Sequence, residues 1–256
     1  MKIATWNVNE CVGITCDLDK VETVDAINRN NINEIIDKIN EYDFDVICFQ
    51  EFPVKIDDKE ELIDRIKTET KLKYYVFKDT YDSYLFNGGR VGVCIFSKYE
   101  IQDKHITLFN NPHLIKVSSN GNTYESFDKA IIMVKIKVDE KYYNVIGGHA
   151  IAFAPFGKTE WEYPSSYKPL EDLIDKNSND NLIVLGDFNC EKLFALIPSI
   201  ETEVVDVING PTTKEWYEKR GEVQMDYIMI SNNLDSTDVK KIDNFSDHYI
   251  VCAEIK

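Results

Sequence analysis

The chain has 256 residues, with 29 Lys plus Arg against 45 Asp plus Glu, a formal net charge of −16, and 43% hydrophobic and 12% aromatic residues. This composition excludes a disordered chain, and no apolar run approaches the roughly 18 residues of a membrane-spanning helix, so no membrane insertion is expected. The acid excess argues against a long nucleic-acid footprint, which draws its affinity from a stripe of Lys and Arg laid on phosphates. The densest basic stretch, residues 55–73, is interleaved with Asp and Glu and reads as a solvated helix face. The N-terminal MKIATWNVN lacks the basic, apolar and small-residue succession of a secretory signal, so the expected compartment is the cytoplasm. Six cysteines in a chain of this length read as buried thiols rather than a disulfide framework, since Cys48, Cys94 and Cys252 fall inside apolar runs.

Residues 2–8 read as a first strand. A polar segment leads to residues 31–42, where Ile32, Ile35, Ile36 and Ile39 recur at i, i+3, i+4 and i+7 and predict one apolar helix face. Residues 45–50 carry Val46, Ile47, Cys48 and Phe49 without a polar break, as expected of a strand covered on both sides. A second helix is expected to start near Asp57 or Asp58, with Leu62, Ile63 and Ile66 facing inward. Strands follow at 73–77 and 90–97. In residues 129–138 apolar and polar side chains alternate, and residues 142–150 pair with them through the turn Asp139-Glu140-Lys141. The pattern predicts a helix over 166–176 with a Ser cap and Pro169 in its first turn. Residues 181–186, 225–231 and 249–255 complete the strands, and 110–122 and 178–180 read as loops. No repeat, Gly/Ser linker or composition break interrupts the chain, so one domain over residues 1–256 is expected. Two sheets covered by helices account for the mixture, an α/β (α+β) architecture.

The polar residues that need a reason sit where strands begin or end. Asn7, Glu51, Asp187 and Asn189 close strands, whereas Asp226, Asp247 and His248 open them. In a mixed sheet, antiparallel neighbours bring starts and ends to one edge, so four carboxylates converge. Two like charges about 4 Å apart repel by roughly 4 kcal/mol at an effective dielectric near 20. Such a cluster therefore raises some of its pKa values or takes a cation. Asp, Glu and Asn oxygens suit Mg²⁺ completed by phosphate oxygens.

TWNVN (5–9), FQE (49–51), GDFN (186–189), MDYI (225–228) and SDH (246–248), in that order, resemble the endonuclease/exonuclease/phosphatase family, the group that includes DNase I and exonuclease III. GGHA (147–150) and the Thr213-x2-Trp216 stretch add to the resemblance, which runs from Thr5 to His248. It implies a four-layer sandwich, two mixed β-sheets packed face to face and flanked by helices, and a Mg²⁺-dependent hydrolase of phosphoester bonds, with Mn²⁺ as a possible substitute. Glu51 would be the principal metal ligand, with Asn7 and Asp247 near the same ion. Asp187 would position or deprotonate water, Asn189 would bond the scissile phosphate, and His248, oriented by Asp226, would contact phosphate or move a proton. His149 would stabilise the phosphorane or help the leaving group.

Substrate contacts are expected from Asn9, Arg90, Lys158 and Trp161. For Arg90, reaching phosphate and solvating a strand end are both open; the aromatics of residues 151–163 either stack a base or pack their own loop. Gln224 stands where many members of the family carry Arg, which removes a cation from beside the site. The segment 10–28 is long and should flank the catalytic edge. The expected substrate is a phosphodiester in nucleic acid gripped over a short footprint, with no obligate protein partner. A phosphatase of a small molecule or lipid head group and a catalytically silent binding protein are the alternatives.

Overall fold

The computed structural model describes residues 1–12, 28–56, 59–83, 85, 87–117, 121–214 and 221–256. The chain lays down β1 (Lys2–Asn7), α1 (Arg29–Tyr42), β2 (Val46–Ile56), α2 (Glu61–Glu69), β3 (Tyr74–Asp82), β4 (Gly89–Ser97), β5 (Ile101–Leu108), β6 (Ile115–Val117) and β7 (Thr123–Glu125). It continues with β8 (Ala130–Val138), β9 (Lys141–His149), α3 (Lys168–Asn177), β10 (Leu182–Asp187), α4 (Leu193–Leu196), β11 (Val204–Asp206), β12 (Asp226–Ser231), β13 (Ser236–Ile242) and β14 (Ile250–Ile255). One six-stranded sheet has the order β13-β14-β1-β2-β4-β3, a second has β11-β12-β10-β9-β8-β5, and β6 and β7 form a separate hairpin.

Helix α1 forms because its isoleucines line one face and its ends are satisfied. The Asn28 side chain accepts the Asn30 backbone N–H at 3.0 Å, and Asp43 closes the helix in the left-handed region at φ 56. Ile32, Ile35, Ile36 and Ile39 pack with Leu62, Ile63 and Ile66 of α2 onto Ala4, Trp6, Ile47 and Phe49 of the first sheet. On the second sheet, Leu170 and Ile174 of α3 and Leu193 of α4 cover Ile131, Ile146, Val184 and Met229. Between the sheets lie Ile3, Cys48, Ile95, Ile132, Val145, Ile183, Leu185, Ile228 and Val251. The result is helices, sheet, sheet, helices, the expected four layers. A Cβ on Gly147 would meet Cys48 Sγ at 2.5 Å, so the facing sheet packs tightly against β9 where it carries no side chain.

Several boundaries differ from expectation. Strand β2 runs on to Ile56 past Glu51 and Pro53, because its register shifts between Phe49 and Phe52 absorb the interruption as a bulge. Helix α2 starts at Glu61, after an Ile56–Lys59 backbone bridge; Asp57 and Asp58 lie outside the described residues. Ser166 does not cap α3 but is buried in the 3-10 turn Pro164–Tyr167 that precedes it, and Pro169 holds its expected place in the first turn. Strands β5, β7, β11 and β13 appear where no strand is predicted, and β6 lies in the predicted 110–122 loop; β5, β11 and β13 stand at sheet edges, where one bonded neighbour suffices and no apolar alternation is required. Five cysteines, Cys11, Cys48, Cys94, Cys190 and Cys252, are buried free thiols, and Cys16 lies outside the described residues. Among the described residues no helix is long and apolar enough to cross a membrane.

Candidate active site

Strand register assembles the site. β9 runs parallel to β10 with His149 beside Asp187, and β12 runs antiparallel to β10 with Asp226 beside Asp187. Three polar side chains thus share one row at one sheet edge. From the facing sheet, β1 ends at Asn7 beside Gln50 of β2, which places Glu51 opposite that row. Glu51 adopts φ 49, a left-handed conformation rare outside glycine, at the bulge that aims its side chain inward. An isolated bridge between Thr213 and His248 fixes the approach to β14.

The side chains interlock. His248 Nδ1 is 2.8 Å from Asp226 Oδ2, and its Nε2 is 3.8 Å from Asp187 Oδ2. His149 Nε2 is 3.7 Å from both Glu51 Oε1 and Asp187 Oδ2. Asn7 Nδ2 donates to Asp187 Oδ2 at 2.9 Å, and the Asn9 backbone N–H donates to Asn7 Oδ1 at 3.0 Å. Asn9 Nδ2 donates to Asp247 Oδ1 at 2.9 Å. Asn189, at φ 47, donates its backbone N–H to Asp187 Oδ1 and its Nδ2 to the Ala150 carbonyl. Thr212 Oγ1 accepts the Asp226 backbone N–H at 2.9 Å and pins the start of β12. Asp187, Asp226 and His248 each bring a ligand atom within 4.8 Å of the others.

Burial decides the electrostatics. It pushes the Asp187 carboxyl up to about 7, with the Asp226 charge adding and the His248 charge opposing. Glu51 is raised by burial and by Asp247, against the pull of Lys129 and His248. Glu10, fully buried behind Glu51, is pushed to about 8 by burial and by the Glu51 charge. Burial works against a charged His248, yet Asp226 and Asp187 override it and hold the imidazole well above its ordinary range. His149 goes the other way: burial and then the Lys129 and His248 charges hold it well below. The site therefore pairs one protonated imidazole with one neutral imidazole amid an excess of carboxylates.

Of the residues named from sequence, Asn7, Asn9, Glu51, Asp187, Asn189, Asp247 and His248 line one cleft, with His149 and Asp226 behind them. The structure does not bring Arg90, Lys158 or Trp161 there. Arg90 is bound to Asp79 and Asp82, Lys158 is bound to Glu162, and Trp161 is 49% exposed and does not line the cleft. Phe153 stacks on Tyr163 at 5.3 Å within that loop, while Phe156 reaches the cleft. Trp216 and most of the 10–28 segment, residues 13–27, lie outside the described residues, and Gln224 donates to Asp206. Sequence reasoning missed Glu10 and Lys129, and the wall formed by Tyr81, Tyr124 and Phe127. Lys129 opens the alternating run of β8 and was legible as a strand end, the same signal that marks the acids.

A model of the Endonuclease/Exonuclease/phosphatase family matches residues 4–248. A search of the curated proteins by sequence finds no match. Among solved structures, an endonuclease/exonuclease/phosphatase family protein from Leptotrichia buccalis is 17% identical, with 100% of this chain and 99% of that chain covered and a TM-score of 0.67. The human Nocturnin catalytic domain with bound sulfate is also 17% identical, with 100% and 93% covered and a TM-score of 0.67. A mannosyl-6-phosphatase from Bacteroides thetaiotaomicron is 12% identical, with 100% and 99% covered and a TM-score of 0.64. Likeness at these identities shows the shared fold, and the family model reaches from the first strand to the histidine of SDH: the chain belongs to the endonuclease/exonuclease/phosphatase family.

Proposed function

We propose that the protein is a divalent-cation-dependent phosphoesterase that hydrolyses a phosphodiester in nucleic acid, gripping it over a short footprint. The observation that supports this most is the meeting of Glu51, Asp187 and the Asp226–His248 pair around His149 at one sheet edge. Five carboxyl groups, of Glu10, Glu51, Asp187, Asp226 and Asp247, are gathered with Lys129 and a protonated His248 beside them. That hard-oxygen set fits Mg²⁺, or Mn²⁺ in its place. Glu51, with Asn7 and Asp247, would hold the ion, whose chemistry when bound is to polarise the phosphoryl group.

The chain's own residues supply the rest. Asp187, near neutrality in pKa, orients the attacking water and accepts its proton. Asn7 and Asn189 fix the two Asp187 oxygens so that the lone pair presented to water is set before substrate arrives. His248, held charged by Asp226, donates to the oxygen on which charge builds. Asn9 orients Asp247.

A second reading, a phosphomonoesterase of a small molecule, is favoured by one observation: among the described residues lining the cleft, Lys129 is the sole Lys or Arg, and a polyanion gains little there. The mannosyl-6-phosphatase likeness agrees with it. Release of nitrophenol from a diester and from a monoester, with Mg²⁺, with EDTA and in Glu51→Ala, tests both. Diester cleavage and activity on an oligonucleotide, lost in EDTA and in the variant, are expected. Monoester preference without nuclease activity would select the second reading, and equal rates in wild type and variant would refute phosphoesterase chemistry at this site.

A further inference from the structure

We infer that Lys129 is a positioning residue that fixes the tautomer of His149, so that His149 presents a proton-bearing Nε2 to the cleft between Glu51 and Asp187. The inference rests on the active site assigned above and adds to it the way one histidine is held.

Pairing of β8 with β9, with Ile131 beside Gly148, brings the start of one strand to the end of the other. Lys129, only 7% exposed, thereby lies within the site, its Nζ 3.3 Å from His149 Nδ1 and 4.6 Å from the centre of the Tyr81 ring. An ammonium has three donors and no acceptor. The surroundings favour that charged form: the Tyr81 face attracts a cation, and Lys129 lies close enough to the carboxyl groups of Glu10 and Glu51 to act on both. Nδ1 of His149 must then accept, and a neutral imidazole whose Nδ1 accepts carries its hydrogen on Nε2. That nitrogen is equidistant, at 3.7 Å, from Glu51 Oε1 and Asp187 Oδ2, the two acids that line the cleft in front of it.

The two histidines are thus oriented by opposite charges. Asp226 accepts a hydrogen bond from Nδ1–H of His248 and sustains an imidazolium. Lys129 donates a hydrogen bond to the bare Nδ1 of His149, keeps its own proton, and so favours a neutral ring. His149 acts as a fixed hydrogen-bond donor that keeps its proton, which leaves proton delivery to His248. Of the two roles expected for His149, stabilising the phosphorane follows and protonating the leaving group does not.

The test is ¹⁵N–¹H correlation spectroscopy of the full chain labelled at histidine, which holds four, at neutral pH without metal or substrate, the His149 signals being assigned with His149→Gln. Wild type should show Nε2 as the protonated nitrogen and Nδ1 as the bare one. Lys129→Met should lose that preference, and Lys129→Arg should restore it. In hydrolysis, Lys129→Met should lower kcat by about 10–100-fold, the usual cost of losing an orienting partner, with KM little changed and Lys129→Arg recovering most of the rate. An Nδ1-protonated His149 in wild type, or an unaltered Nε2–H tautomer in Lys129→Met, would overturn the inference. The wild-type spectrum decides even if the variants do not fold. Because it needs no turnover, it also separates failure of this inference from failure of the proposed function.

Discussion

His248 Nδ1 lies 2.8 Å from Asp226 Oδ2, with both side chains at most 2% exposed, so a carboxylate from one sheet orients an imidazole that precedes a strand of the other. The pair works as a unit. His248→Ala should lower kcat by about 10²–10⁴-fold with the fold intact, the range for a proton-transfer or charge-stabilising group. Asp226→Asn should act in the same direction, since the amide no longer sustains the imidazolium. Steady-state kinetics with circular dichroism checks both; a loss under about tenfold in His248→Ala would remove this histidine from the chemistry.

The buried acids make stability of the metal-free protein pH-dependent. Glu10 titrates near 8 when folded against 4.5 in its ordinary state, and Asp187 near 7 against 3.8. The folded state therefore binds more protons than the unfolded one between those limits. Each group's contribution is full below its lower value and lost as pH rises through the upper one. In EDTA, the stability of wild type relative to Glu10→Gln should fall between pH 5 and pH 8.5, and added Mg²⁺ should restore part of the high-pH loss. Thermal melts at the two pH values measure this. A relative stability that stays level or rises would contradict it.

At Gly147 the two sheets leave no room for a side chain. An added Cβ would lie 2.5 Å from Cys48 Sγ and 2.8 Å from Ile95 Cδ1, so Gly147→Ala should destabilise by about 1–3 kcal/mol, the usual cost of overpacking. Cys48→Ala in the same chain should recover part of that loss. Denaturant midpoints of the single and double variants give the coupling, and additive effects would mean that Cys48 is not the obstacle.

Trp161 stands 49% exposed, and its loop packs through Phe153 on Tyr163. Trp161→Ala should leave apparent affinity for an oligonucleotide unchanged. Stacking on a base is worth about 1–3 kcal/mol by alanine substitution, and a weakening of that size in a binding titration would return the ring to the substrate path.

The strands that carry the site were legible because both neighbours bury them: the apolar runs ending in Asn7, Glu51 and Asp187 have no other reason to stop on a polar residue. Their convergence followed from parallel and antiparallel pairing, and the register of His149, Asp187 and Asp226 is its physical form. The edge strands β5 and β13 were not legible, since an exposed edge imposes no pattern. Neither was the purpose of Arg90, whose charge is consumed locally by Asp79 and Asp82. Lys129 escaped notice because a cation at a strand end reads as solvation until the burial of its neighbours is known.

In the mechanism proposed, Glu51 and its neighbours hold a divalent ion at this sheet edge. Crystals soaked in Mn²⁺ and measured at the manganese absorption edge show whether the ion is there. An anomalous peak about 2.0–2.2 Å from a Glu51 carboxylate oxygen, absent in Glu51→Gln crystals treated alike, is the expected result; a cleft without a peak, or a peak that persists in the variant, would contradict it.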